Sequence, residues 1–299
     1  MIVFASSITD PGVYRACAEP GIRRAAEPDS EVLANAAAGS IFRSYNLILD
    51  MVAGRDDLEA LVLVHQDAEI ASPDLCATLR RAVSDPEVGV VGCVGAVGVR
   101  SIAWWEGSVT WASFTHRYRE LGGGELPALS WAPGDLPAFA HTGEVDTVDG
   151  FVLALSPWVV RNVRFDESLG QLHGYDLDFC LQVRAAGRKV VTADFRVVHH
   201  HSLDLVSNPE TWLAAHMRVS EKWDGRMWDG AADDWRRRAR RAEAEASLAR
   251  TEAVAAMLQA EARAKQLERE LAEVTGSRSW RLTAPLRRLN ATRRARRRR

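Results

Sequence analysis

Through residues 1–205, dense apolar runs alternate with segments whose apolar residues recur every three to four positions. Ile2–Ala5 reads as a first buried strand. Residues 40–53 carry Ile41, Tyr45, Ile48, Leu49 and Val52 at helical spacing. ALVLV at 60–64 is apolar without a break and stops at His65, Gln66 and Asp67. Such a run suits a strand of a parallel sheet covered on both faces, because a half-exposed strand would alternate. A Ser-Pro step opens a helix over 73–83. VGVVGCVGAVGV at 88–99 reads as one strand whose glycines mark packing or a bend. They miss the GxGxxG spacing at a strand-to-helix turn, which excludes a dinucleotide fingerprint of the Rossmann type. TVDGFVLAL (147–155) is again a strand. Residues 176–186 read as a helix capped by Gly187, and 189–198 as a last strand running into His199, His200 and His201.

Two stretches break this rhythm. Residues 100–145 are irregular and aromatic, with Trp104, Trp105, Trp111, Phe114, Tyr118, Trp131 and Phe139 around a glycine triplet. An insert of that length is usually functional, and a covering loop on a satellite core fits it equally. After residue 208 the chain turns helical: 209–223 as one helix, then 231–274 rich in Ala, Arg and Glu, without Pro. Met257, Ala260, Ala264, Leu267, Leu271 and Val274 fall on a 3-4 spacing, a weak heptad seam that points to pairing with a second copy. The order of elements predicts an α/β class: an open, mostly parallel sheet flanked by helices, with a long C-terminal helix or coiled-coil extension. The expected divisions are a domain over 1–210, a connecting helix over 211–230, a charged helix over 231–275 and a basic tail over 276–299.

Charge sharpens the picture of the tail. The chain has 38 Lys and Arg against 40 Asp and Glu. Ten of those arginines lie after residue 275 with no acid among them, leaving 28 basic against 40 acidic residues, about −12, in the body. An acidic body excludes the whole chain as a nucleic-acid binder. Trp280, Leu282, Leu286 and Leu289 between arginines favour an anionic membrane surface as partner; non-specific nucleic acid and a solvated end fit the same charge. The N-terminus lacks a basic, long apolar leader and no run reaches about 18 apolar residues. The expected location is cytoplasmic, peripheral at the inner membrane face through the tail. Four cysteines without CxxC spacing read as reduced core thiols.

Three clusters at strand ends can carry chemistry, since ligands bind open α/β sheets there. His65-Gln66-Asp67 places a carboxylate where a divalent cation could sit, or where a polar exit caps the next helix. Asp176 and Asp178 open a helix, where the dipole and free amides favour carboxylates; simple N-capping fits as well. Of His199, His200 and His201, at most two can share one ion, because neighbours on a strand point to opposite faces.

Taken in order, VLVHQDAEI (62–70), VDGFVLALSPWVV (148–160), RFDESLGQLHGYDLDFCLQVRAAGRKV (164–190) and RVVHHHS (196–202) resemble the family 2 glycosyltransferases of the GT-A fold. In particular they resemble the StrF-like glycosyltransferase domain, and the resemblance covers about residues 1–210. The resemblance implies a nucleotide-diphosphate sugar as donor, with Mg2+ or Mn2+ held at a DxD position occupied here by His65 and Asp67. It implies Asp67 as metal ligand, His65 and Asp149 toward the nucleotide sugar, and His199, then His201, closing the metal site. It also implies Asp176 as the base that deprotonates an acceptor hydroxyl, on a glycan, a lipid-linked or a small molecule, with inversion at the anomeric carbon. The first DxD aspartate is replaced by His65, and the acid before the base by Tyr175. Those departures favour an alternative, a non-catalytic sugar-nucleotide or glycan-binding scaffold on a degenerate version of the fold.

Overall fold

The computed structural model describes residues 1–99, 108–118, 124–127, 143–200, 209–223 and 234–285. The chain opens with β1 (Ile2–Ile8), α1 (Pro11–Ala16), α2 (Ala18–Ala25) and β2 (Glu31–Ala36). Asp10 starts α1 by accepting the amides of Gly12 and Val13, and Ser40 starts α3 (Ile41–Val52) by accepting that of Arg43; each side chain satisfies an amide that has no partner within its helix. The chain continues through β3 (Ala60–Val64), β4 (Ala68–Ile70), α4 (Leu75–Ala82), β5 (Val88–Gly92) and β6 (Val94–Val97).

The segment expected to be irregular contributes β7 (Ser108–Ala112), β8 (Phe114–Tyr118), β9 (Gly124–Pro127) and β10 (Glu144–Val145). Trp104, Trp105, Trp131 and Phe139 lie outside the described residues. Then come β11 (Thr147–Val148), β12 (Val152–Leu155), α5 (Pro157–Asn162), a 3-10 turn at Glu167–Leu169, α6 (Tyr175–Ala185), β13 (Lys189–Thr192), β14 (Val197–His199) and α7 (Pro209–Trp223).

Among the described residues, seven strands form the central sheet in the order β10-β13-β5-β12-β3-β1-β2. β1, β2, β3, β5 and β13 run the same way; β12 and β10 oppose their neighbours. Smaller sheets β11-β6-β7 and β4-β14-β8-β9 stand beside it. The stretches read as single strands at 88–99, 147–155 and 189–198 are each two strands. At Cys93, at Asp149–Phe151 and at 193–196 the chain passes between the central sheet and a smaller one.

The unbroken ALVLV run has its expected cause. Leu61 and Leu63 enter one apolar cluster with Phe42, Tyr45, Ile48 and Leu49 of α3 and Val159 of α5. Val62 and Val64 enter the other with Ile22 of α2 and Leu75 and Leu79 of α4. Both faces of the sheet are therefore covered, and every residue of β3 is withdrawn from water. Gly21 of α2 lies so close to β4 that an added Cβ would sit 2.4 Å from the Ile70 nitrogen. A glycine there lets the helix backbone touch the strand that follows the His65–Asp67 turn. All four cysteines are buried without a disulfide.

The chain divides into two compact units, Met1–Glu252 and Ala253–Arg299. The helix α8 (Asp234–Gly276) is followed by α9 (Arg278–Leu282), which Ser277 starts by accepting the Trp280 amide. Met257, Leu267, Leu271 and Val274 of the seam are exposed. Leu286, Leu289 and the terminal arginine run lie outside the described residues. No described helix is long and apolar enough to cross a membrane.

Candidate active site at the strand ends

At the end of β3 the chain turns, the Ala68 amide donating to the His65 carbonyl at 3.0 Å. Gln66 anchors the turn to the end of β1: its Oε1 accepts the Thr9 and Asp10 amides, both at 2.9 Å, and its Nε2 donates to Thr9 Oγ1 at 2.8 Å. The next strand, β4, pairs antiparallel with β14, Ala68 opposite His199, and the His200 amide donates to the Asp67 carbonyl at 2.8 Å. Residues far apart in sequence thus meet at one ladder end.

There the side chains of His65, Asp67 and His199 converge, each offering one ligand atom within 4.8 Å of the others. His65 Nδ1 lies 3.8 Å from Asp67 Oδ1, and His199 Nε2 lies 3.7 Å from Asp67 Oδ2. One ion with ligand bonds of about 2.0–2.2 Å spans such separations. Burial lowers the His65 pKa to about 4, against the Asp67 charge that would raise it. Its imidazole is therefore neutral at physiological pH, the form that ligates metals. His199 is buried and its ring stacks on Phe151 at 4.5 Å between centroids. Its neighbour His200 points the other way, to Glu69 at 3.0 Å, as strand alternation requires. His201 lies outside the described residues.

The second wall comes from the break between β11 and β12. Asp149 receives the Phe151 amide at 3.2 Å, and burial holds its pKa above the usual carboxylate value, with the Asp67 charge adding and the His199 ring opposing. Asp176, at the start of α6, accepts the Gly150 amide at 3.0 Å and the Leu177 amide at 2.9 Å. Burial, and then the neighbouring Asp149, raise its pKa to about 7. Two amide bonds favour the charged form, but desolvation prevails. A carboxylate poised near neutral pH is suited to take a proton from a hydroxyl.

Asp178, the other acid of this helix, belongs elsewhere. Only 1% exposed, it pairs with Lys222 of α7 at 2.8 Å and accepts Trp223 Nε1 at 2.7 Å. Lys222 also reaches Asp166 at 2.6 Å. These contacts fasten α7 to α6. Neither aspartate caps α6 in the usual way, since Gly174 holds the cap position without a side-chain bond. Sequence reasoning missed three members of the site: Gln66, Gly150 and the hydroxyl of Tyr175, which lies 2.6 Å from His65 Nε2. Gln66 carried a signal as an amide side chain at the exit of a buried strand, and Tyr175 stood out only as the replacement of an acid in the family pattern, with no sign that its hydroxyl reaches His65.

A mostly parallel sheet flanked by helices, with two histidines and three carboxylates gathered around its strand ends, defines an α/β domain with a candidate site at the strand ends. The chain belongs to the glycosyltransferase-like family, whose model matches residues 4–218. It is 29% identical over 192 residues to the streptomycin biosynthesis protein StrF of Streptomyces griseus. That match covers 61% of this chain and 60% of StrF, so it spans under two thirds of the relative's length. Two solved structures are also similar. One is the mannosyltransferase PcManGT of Pyrobaculum calidifontis in complex with GDP-Man and Mn2+ (16% identity, TM-score 0.44, covering 94% of this chain and 81% of that one). The other is GalNAc-T7 with UDP, GalNAc and Mn2+ (10% identity, TM-score 0.49, covering 75% and 48%).

Proposed function

We propose that the chain transfers a sugar from a nucleotide-diphosphate sugar to an acceptor hydroxyl, with inversion, using Asp176 as base and a cation site at His65, Asp67 and His199. The convergence of those three ligand atoms within 4.8 Å, on the same strand ends as a carboxylate with a pKa near 7, carries the reading. Family membership supports it.

The donor set fits a divalent cation. One carboxylate and two imidazoles suit Mn2+ better than Mg2+, whose preference is for oxygen. Such an ion, when bound, offsets the charge that collects on a departing diphosphate. Asp176 accepts the proton of the acceptor hydroxyl, whose oxygen bonds to the anomeric carbon as the bond to the diphosphate oxygen breaks. The Gly150 and Leu177 amides hold the carboxylate in one orientation for that transfer. Asp149, on the same wall, keeps Asp176 basic through its charge and faces the donor.

We further propose residues 1–210 as the catalytic unit, with the exposed seam of Met257, Leu267, Leu271 and Val274 supporting a second copy as partner and the arginine tail an anionic membrane surface. The test of the enzyme reading is hydrolysis and transfer with a panel of nucleotide sugars and Mn2+, wild type against Asp176→Asn. Turnover that falls in the variant while donor binding persists supports it. Equal turnover in both removes Asp176 from the mechanism, and binding without turnover in the wild type favours the non-catalytic scaffold.

A further inference from the structure

The imidazole of His65 has two nitrogens with different surroundings. Nδ1 faces Asp67 at 3.8 Å, on the side where His199 also converges. Nε2 faces away, 2.6 Å from the hydroxyl of Tyr175. The two rings lie 6.0 Å apart and 30° from parallel. Tyr175 is itself fixed. Phe42, Tyr45 and Phe165 surround its ring at 6.1, 5.8 and 6.2 Å between centroids, two of them edge-on. It is 6% exposed. Gly150 makes room for the phenol: an added Cβ there would sit 2.1 Å from the Tyr175 oxygen and 2.4 Å from Cζ. Phenylalanine would fill the apolar part of this space, so packing alone does not call for the hydroxyl. A buried hydroxyl needs a partner, and here the partner is the far nitrogen of a candidate ligand.

From this geometry, and resting on the cation site proposed above, we infer that Tyr175 is a positioning residue of the metal centre: its hydroxyl holds His65 so that Nδ1 presents its lone pair to the ion. An ion on Nδ1 requires that nitrogen unprotonated, which leaves the ring proton on Nε2, where the phenol oxygen accepts it. Ligating histidines are commonly held by such a partner on the second nitrogen, and its loss weakens metal binding by about 10–100-fold. Gly150 takes part twice. Its missing side chain admits the phenol, and its amide donates to Asp176 at 3.0 Å. The metal wall and the base wall of the cleft are thereby joined through one glycine and one tyrosine.

The test measures the affinity of Mn2+ alone by the electron paramagnetic resonance of free ion, with metal-free thermal melting as the control for folding. Tyr175→Phe removes only the oxygen, so its metal-free melting should stay close to wild type while its Kd for Mn2+ rises about ten-fold or more. Gly150→Ala, which displaces the phenol, should weaken Mn2+ binding in the same direction. In a His65→Ala background, Tyr175→Phe should change the Kd by less than about two-fold, because the tyrosine acts through that ring. Wild-type affinity in Tyr175→Phe, with binding lost in Asp67→Ala, overturns the inference and leaves the metal site standing. An equal loss on removing the hydroxyl with and without His65 also overturns it. Absence of Mn2+ binding by the wild type overturns both.

Discussion

His199 Nε2 and Asp67 Oδ2 lie 3.7 Å apart because β14 and β4 pair in a register that sets His199 opposite Ala68. The pair brings a nitrogen and a carboxylate oxygen to one point, and His65 adds a second nitrogen 3.8 Å from the same carboxylate. Removing Asp67 takes away the group between the two rings. Asp67→Ala and His199→Ala should each weaken Mn2+ binding by about ten-fold or more, with wild-type far-UV circular dichroism. Because two of the three donors are nitrogen, Mn2+ should support turnover at lower concentration than Mg2+. Titration calorimetry and metal-dependent rates check both.

Asp176→Asn keeps the shape of the side chain and one of the two oxygens that accept the Gly150 and Leu177 amides, but cannot take a proton at neutral pH. Its kcat should fall by about 10²–10⁴-fold, the usual contribution of a positioned base, with the KM for donor little changed. Steady-state kinetics on the best donor of the panel decides this. A parallel rise in KM without loss of kcat would place Asp176 in donor binding instead.

The raised pKa of Asp176 has a sign that stability can report. Its value is about 7 in the folded chain, against 3.8 for an ordinary aspartate. Between those values the folded state retains a proton that the unfolded state has released, so stability falls as pH rises from about 4 to about 7. Asp149, raised by burial as well, acts in the same sense. In metal-free protein, Asp176→Asn should therefore melt about 2–4 °C above wild type at pH 8, and close to wild type at pH 4. Saturating Mn2+ favours the ionised carboxylate and should shrink the gap. Calorimetric scans across pH, with and without Mn2+, are the measurement.

Lys222 is expected to matter for folding alone. Lys222→Ala leaves the buried Asp178 carboxylate without its cation, a change that typically costs about 3–5 kcal/mol. The Asp178→Asn, Lys222→Met pair, which removes both charges, should recover much of that loss. Urea denaturation of the three variants gives the comparison.

The sequence made β3 readable because burial on both faces forbids polar residues anywhere in ALVLV. Asp67, Asp176 and His199 stood out because each follows or opens an element whose apolar pattern stops abruptly. The breaks at Cys93, Asp149–Phe151 and 193–196 did not show. Apolar residues flank each of them, and the cause, passage of the chain from one sheet to another, is tertiary. β2, EVLANA at the sheet edge, is buried only in part, so its hydrophobic signal is weak. Helix α2 carries Pro20 and Gly21 in its first turns, where composition argues against a helix, yet Gly21 is required by the contact with Ile70. The Tyr175–His65 contact joins residues 110 positions apart. The sequence showed each as a departure from the family pattern and gave no sign that the two departures touch.

The most direct measurement is anomalous diffraction at the manganese edge from crystals soaked in Mn2+ with a nucleoside diphosphate. A single strong peak bonded to His65 Nδ1, the Asp67 carboxylate and His199 Nε2, with Asp176 facing the diphosphate across the cleft, is the expected result. Manganese bound elsewhere, or nucleotide bound with no ion among those three side chains, would contradict the account.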